Sequence, residues 1–299
     1  MSPATTIHSP WRDAWKRLRR DRAAMVGLIV VAFMVAASLF APLIAPYDPN
    51  TQDLEIQLSG PSSQHLFGTD DKGRDLLSRV LHGGRVSWMV GFLATTVSIV
   101  IGVTWGAVAA FVGGKVDNLM MRIVDVLYTI PFLFLAILFM VVARTMREEA
   151  GWEINELYLV FIAIGAVSWL TVSRIVRGEV LSIREREFVQ AAHALGLSRT
   201  RVLFRHVVPN LMGVVIVYSS LTVPRVMLEE SFLSFLGLGV QPPDASWGSL
   251  AAIGAEVINP VHSYWWLILF PGAALAITLF GLNFLGDGLR DALDPRLRK

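Results

Sequence analysis

The chain has 299 residues, 54% hydrophobic and only 17% charged, with a mean hydropathy of +0.55. That balance argues against a soluble domain, and several apolar runs reach the roughly 20 residues a helix needs to cross a bilayer. The absence of cysteine excludes disulfides and thiolate metal sites, and a net charge of +2 says less than where the charges lie.

Residues 1–24 form a basic tail carrying Arg12, Lys16, Arg17, Arg19, Arg20 and Arg22. The basic stretch is long and the apolar run behind it is long enough to span, which predicts a retained first helix at 25–45 rather than a cleaved leader. The following loop, 46–85, is rich in Pro, Gly, Asn and Asp and reads as turns, with a short helix at 75–81. Its Lys72, Arg74, Arg79 and Arg85 are accompanied by six acidic residues. A core of five helices occupies 86–286, with spans predicted at 86–112, 119–142, 157–173, 211–230 and 264–285. The apolar stretch 231–240 is too short to span and ends in "GLGVQPP", which reads as a helix end or a half-buried loop. A polar tail, 287–299, closes the chain. The fold class is therefore an all-α membrane protein with six transmembrane helices.

Lys and Arg placement sets the orientation. The N-terminal tail, the loop between spans four and five (Arg174, Arg177, Arg184, Arg186, Arg199, Arg201 and Arg205) and the C-terminal tail (Arg290, Arg296, Arg298 and Lys299) fall on one side, which predicts cytoplasmic termini. The opposite side carries 46–85, the loop around 148–156, and 241–262, which has no Lys or Arg. Trp265 and Trp266 suit the outer headgroup belt.

Catalytic patterns are missing. There is no G-x-x-x-x-G-K-[ST], H-E-x-x-H or G-x-S-x-G, and "VGGKVD" at 112–117 lacks the first Gly and the final Ser or Thr of a phosphate loop. His8, His65, His82, His193, His206 and His262 are scattered without metal-ligand spacing. No metal, cofactor or nucleic-acid partner is expected for this chain. Charges inside the spans are few. Arg225, Glu229 and Glu230 are candidates for a transport pathway, although Arg225 and Glu229 also have the i,i+4 spacing of a simple helical pair. Asp125 is expected to pair with Arg122 at i−3. Gly102 and Gly106 form a G-x-x-x-G that lets two helices approach closely, and Pro131 and Pro224 are expected to kink their spans.

The polar segment "QAAHALGLSRTRVLFRHVVPN" at 190–210 lies between spans four and five. "SIRE" at 182–185 has the form of a capping box, predicting a helix from Ser182 to Leu195 with Gly196 just past its end. Ser198 is placed to cap a second short helix, and Pro209 marks the start of span five. Ala191, Ala192 and Gly196 make a small-residue surface ringed by arginines. That surface suits either docking to an acidic partner or an amphipathic helix lying on anionic lipid.

This segment resembles the E-A-A-x3-G-x9-I-x-L-P loop of bacterial ABC-importer permeases. Gln190, Ala191 and Ala192 stand for E-A-A, with Gly196 and Pro209 at the matching spacing; Gln190, His206 and Val208 depart from the pattern. "HLFGTDDKGRDLLSRVLHGGRVS" (65–87), "ESFLSFLGLGVQPPDASWG" (230–248) and "NFLGDGLRDALDPRLR" (283–298) are similar to the second, C-type permease of the dipeptide/oligopeptide/nickel branch. The resemblance implies a type I ABC-importer permease with a coupling loop at 177–210, set in a bacterial inner membrane. It implies a heterodimer with a second permease, two ATPase subunits that hold ATP and Mg, and an extracytoplasmic binding protein. On this reading Gln190, Ala191, Ala192 and Gly196 form the ATPase-docking core, with Arg186 and Arg201 at its rim and Pro209 behind it. Gln241, Pro242, Pro243 and Trp247 are the expected contacts with the binding protein. Peptide is the expected cargo, with nickel chelates and glutathione-like peptides as alternatives. Outside this family the alternative is a secondary transporter or channel without ATPase partners.

Overall fold

The structure is a computed structural model that describes residues 10–151, 156–258 and 261–293. Its helices, in chain order, are α1 (Pro10–Leu18), α2 (Arg22–Leu39), α3 (Ala41–Ile44), α4 (Leu76–Val112), α5 (Gly114–Thr129) and α6 (Phe132–Ala150). They continue with α7 (Glu156–Arg184), α8 (Glu187–Ala194), α9 (Arg199–Val202), α10 (Val208–Phe235), α11 (Trp247–Val257) and α12 (Trp266–Leu293). Among the described residues no strand is formed, and Thr69 and Asp75 make an isolated antiparallel bridge. Five helices are long and apolar enough to cross a membrane, and α5 with α6, bent by 98°, makes a sixth if the pair is one broken span. Read as one broken span, that pair completes the expected six in order. The break falls at Ile130–Pro131, where proline has no N–H to donate and drives Ile130 to an extended backbone (φ −83°, ψ 127°). Pro224, by contrast, lies inside a continuous α10.

The predicted helix at 75–81 and the span at 86–112 are one element. The Asp75 carboxylate caps it by accepting from the Ser78 N–H at 2.7 Å. The 37 residues of α4 extend about 55 Å, well beyond the hydrocarbon core of about 30 Å. The G-x-x-x-G works as expected: a Cβ on Gly102 would lie 2.6 Å from the Val172 Cβ, and one on Gly106 would press on the Ser173 carbonyl. α4 and α7 are thereby packed backbone to backbone.

Three expected boundaries are overturned. The capping box at Ser182 does not form, because α7 runs through Ser182 to Arg184. Val176, Val180 and Ile183 on that stretch are buried at helical spacing, so core packing extends the helix past the local cap signal. As a result Arg174, Arg177 and Arg184 belong to α7 rather than to a loop. Residues 241–262, expected as a loop, contain α11, which starts at a reciprocal Ser246–Ser249 capping box. The polar tail expected from 287 continues α12 to Leu293. His8, Arg296, Arg298, Lys299 and the end of the 283–298 motif lie outside the described residues, as does part of the loop expected around 148–156.

Hydrophobic clusters stack along the bundle. Trp88, Met227, Trp247, Trp266 and Leu267 pack at one end, Ala94, Met140, Ile164 and Val226 in the middle, and Ala110, Val180, Ile183, Val202 and Val207 at the other. α1 folds back so that Ala14 and Leu18 meet Ala24 and Ala292, which brings α1 against the end of α12. α2 crosses α12 closely, and a Cβ on Gly27 would lie 2.6 Å from the Gly281 carbonyl.

The loop before α4 is tied down by charge. Asp70 is buried, accepts from the Arg74 N–H (2.9 Å) and side chain (2.7 Å), and pairs with Arg79. Burial opposes ionisation of Asp70. Arg79, the backbone donors of Arg74 and Lys72, and the Arg74 charge outweigh it and hold the carboxyl below its ordinary 3.8. His65 bonds Asp75 at 2.9 Å, and Phe67 stacks on Phe270 with ring centroids 3.9 Å apart.

Candidate functional site

The chain leaves α7 in a sharp bend at Glu185–Arg186 and turns into α8. The bend is fixed from two sides. Arg184 Nη1 donates to the Ala110 carbonyl at 3.1 Å, and Gln190 Nε2 donates to the Glu185 carbonyl at 3.1 Å. α8 ends at Gly196, whose φ of +80° is in the left-handed region that glycine adopts freely. The Leu197 N–H then reaches the Ala192 carbonyl at 3.2 Å, closing a Schellman-type end. After α9, a π-helical turn at Leu203–Val207 leads without a break into α10, with Pro209 in its first turn.

This hairpin has two faces. Val189, Ala192, Val202 and Val207 point into the core. Arg186, Gln190, Ala191, Gly196, Arg201 and Pro209 are exposed. The expected docking set is thus brought onto one short segment, with one correction: Ala192 is 6% exposed and belongs to the packing, because it continues the buried stripe begun by Val189. Sequence reasoning missed three apolar side chains on the open face, Phe188, Leu195 and Phe204, which are 39%, 81% and 66% exposed. Their signal was available, since they fall out of phase with the buried valines. Ser198, Thr200, Arg201, Phe204 and Arg205 line a shallow open concavity beside them. A large exposed apolar face rimmed by guanidinium groups is the kind of surface that marks an interaction site.

Several of the charges within the spans are held in pairs or networks. Arg225 Nε donates to Glu229 Oε1 at 2.9 Å, as their spacing predicts, and Ser168 Oγ on α7 donates to Glu229 Oε2 at 2.9 Å. Glu230 is enclosed at 1% exposure. It accepts from Ser234 Oγ and Ser246 Oγ, both at 2.7 Å, and so fastens the start of α11 to α10. That location removes Glu230 from any open pathway. Asp125 pairs with Arg174 at 2.8 Å rather than with Arg122, and Arg177 grips Asp117 through two bonds of 2.6 and 2.7 Å. Both pairs clip α5 to α7, a partner that the local i−3 rule had no means of seeing. Among the described residues no group of three or more His, Asp or Glu is placed to hold a metal.

At the far end of the bundle, Pro242 and Pro243 are exposed and Gln241 is half-buried. Gln241 Nε2 donates to the Gly237 carbonyl at 2.9 Å. Trp247 corrects the expectation of a surface anchor. It is 1% exposed, donates from Nε1 to the Val80 carbonyl at 2.9 Å, and donates from its backbone N–H to Ser87 Oγ at 2.9 Å. The tryptophan is the first residue of a buried helix, and its ring locks α11 against α4.

Comparison with known proteins bears on the same regions. The family model described as "Binding-protein-dependent transport system inner membrane component" matches residues 98–299. The model described as "N-terminal TM domain of oligopeptide transport permease C" matches residues 9–61. The chain is 46% identical over 292 residues to the oligopeptide transport system permease protein OppC of Escherichia coli (strain K12), covering 97% of this chain and 92% of that one. It is 43% identical over 291 residues to OppC of Bacillus subtilis (strain 168), covering 97% and 91%. To the dipeptide transport system permease protein DppC of the same organism it is 41% identical over 288 residues, covering 96% and 86%. Among solved structures, an inward-facing MetNI methionine ABC transporter matches with a TM-score of 0.56 at 18% identity, covering 72% of this chain and 96% of that one, a likeness of fold.

Proposed function

Because this chain belongs to the family of binding-protein-dependent transport system inner membrane components, we propose that it is the C-type permease subunit of an ATP-driven importer of dipeptides and oligopeptides. The observation that carries this reading is the exposed face of the α8–α9 hairpin. It is held rigidly from behind by buried valines and is continuous with a spanning helix on each side. A push on that face is transmitted directly to α7 and α10. The names of the relatives support peptide as cargo.

In this proposal a second permease completes the pore, and one of two ATPase subunits binds Arg186, Gln190, Ala191, Leu195, Gly196 and Arg201, the other binding the second permease. ATP and Mg reside in those subunits, and this chain does no chemistry itself. Closure of the ATPase pair draws the hairpins together, and α7 and α10 turn the bundle to open outward toward a loaded binding protein. Pro242 and Pro243, with Gln241 beside them, meet that protein. The segments 1–24 and 287–299 are cytoplasmic and 46–85 is extracytoplasmic, as the Lys and Arg distribution supports, and the whole lies in a bacterial inner membrane, as the family and the bacterial relatives support.

Purification in mild detergent, with the native neighbours co-expressed, tests the proposal. Two ATPase subunits and a second permease should accompany the chain, and peptide plus binding protein should stimulate ATP hydrolysis more than a nickel chelate or a glutathione-like peptide does. Ala191→Asp puts a charge on the docking face without touching the core. It should reduce co-purified ATPase subunits and uncouple transport, since an unpaired charge buried at an interface is strongly unfavourable. Normal ATPase binding by that variant would sink the docking assignment.

A further inference from the structure

Arg225 is the only Lys or Arg between Arg205 and Arg290, and it lies inside α10, one of the helices apolar enough to span. Its side chain is 54% exposed. The other exposed side chains from here to 236, Leu228, Phe232, Phe235 and Leu236, are apolar. A guanidinium left open to hydrocarbon is strongly disfavoured, so intramembrane charges face a watery cavity or another protein. The local geometry leaves much of this one free to act. Only Nε is engaged, by Glu229 at 2.9 Å. Glu229 is itself steadied by Ser168 at 2.9 Å. Among the described residues Nη1 and Nη2 have no hydrogen-bond partner.

We propose that Arg225 faces the aqueous translocation path and that its Nη1 and Nη2 receive the C-terminal carboxylate of the peptide in transit, with Glu229 and Ser168 as positioning residues. The proposal rests on the importer reading above. A planar guanidinium presents two parallel donors that match a carboxylate, the group every unmodified peptide carries whatever its side chains. Glu229 has a second effect. By sharing the cation it weakens the hold on the passing carboxylate, and a conduction site must let its cargo leave.

The chain has no cysteine, so a single thiol reports cleanly on this face. In the assembled importer, Leu228→Cys, which leaves Arg225 in place, should react with a membrane-impermeant cationic thiol reagent, and peptide-loaded binding protein should slow that reaction. An unreactive thiol would mean a face covered by lipid or protein and would overturn the proposal. In proteoliposomes, uptake of a tripeptide is compared with uptake of its C-terminal amide, each normalised to the amount of loaded binding protein. The wild type should favour the free acid. Arg225→Gln should slow the acid at least about tenfold, the loss expected from one charge-assisted hydrogen-bonded contact, and abolish the preference, whereas Arg225→Lys should keep part of it. An unchanged acid-to-amide ratio in Arg225→Gln would overturn the assignment and point to an acidic residue of the second permease as its partner. A wild-type complex that moves neither peptide would bring down the importer reading as well, an outcome distinct from a variant that merely keeps the ratio.

Discussion

Asp70 shows how much one side chain can hold. Its carboxylate is the shared acceptor for Arg74 and Arg79, whose side chains are 5% and 3% exposed. Asp70→Asn keeps the shape and removes the charge, leaving two buried guanidinium groups without their counter-ion, which typically destabilises by about 3–5 kcal/mol. A thermal melt of the purified protein at neutral pH should show that loss. The pH dependence follows from the lowered carboxyl. Its contribution is intact above the ordinary 3.8 and is lost as pH falls through the still lower value of the folded state. The gap in Tm between wild type and Asp70→Asn should therefore begin to narrow below pH 3.8 and close once the pH is under the folded-state value, and a gap that does not narrow as the pH falls would mean the charge is not what matters. At this scale the sequence was only partly legible. Arg225 and Glu229 could be paired from their spacing alone. Trp247 and Ala192 could not be placed, because a tryptophan after a Pro-Pro turn and an alanine in a polar loop look exposed until the buried stripes of neighbouring helices are known.

Helices read well where one long apolar run decides the matter and badly where two signals compete. Ser182 has the residue pattern of a cap but sits exposed inside α7. Asp75 is a working cap, with the Ser78 N–H and hydroxyl both 2.7 Å from its carboxylate. Ser182→Ala should leave stability within about 0.5 kcal/mol of wild type. Asp75→Ala should cost about 1–2 kcal/mol, and more to the extent that its bond to His65 contributes. Chemical denaturation of the two variants side by side checks the contrast; a large loss at Ser182 would restore the local cap and shorten α7. The same competition explains α11. Its apolar run is short and preceded by turn residues, so only tertiary burial, sealed by Glu230 on Ser246, makes it a helix. The break between α5 and α6 was visible as Pro131, but not its depth, which depends on the clips from Asp117 and Asp125 to α7.

Across the whole molecule, the order of spans and the charge bias of the tails were legible, because each is a sum over many residues. Which span packs on which was not, since contacts such as Arg174 with Asp125 join residues far apart in the chain. The meeting of α1 with the end of α12 gives a direct test of topology. Reporters fused before α1 and after α12 should both be active in the cytoplasm, and activity of either on the outer side would contradict the shared end. The crossing of α2 over α12 at Gly27 and Gly281 also sets a timetable for biosynthesis. At about 5–20 residues per second, the roughly 250 residues between those glycines take about 12–50 s to emerge from the ribosome. The glycine face of α2 thus waits through that interval for α12, whereas its contact with α4, where Ser38 meets Gly84, can form long before.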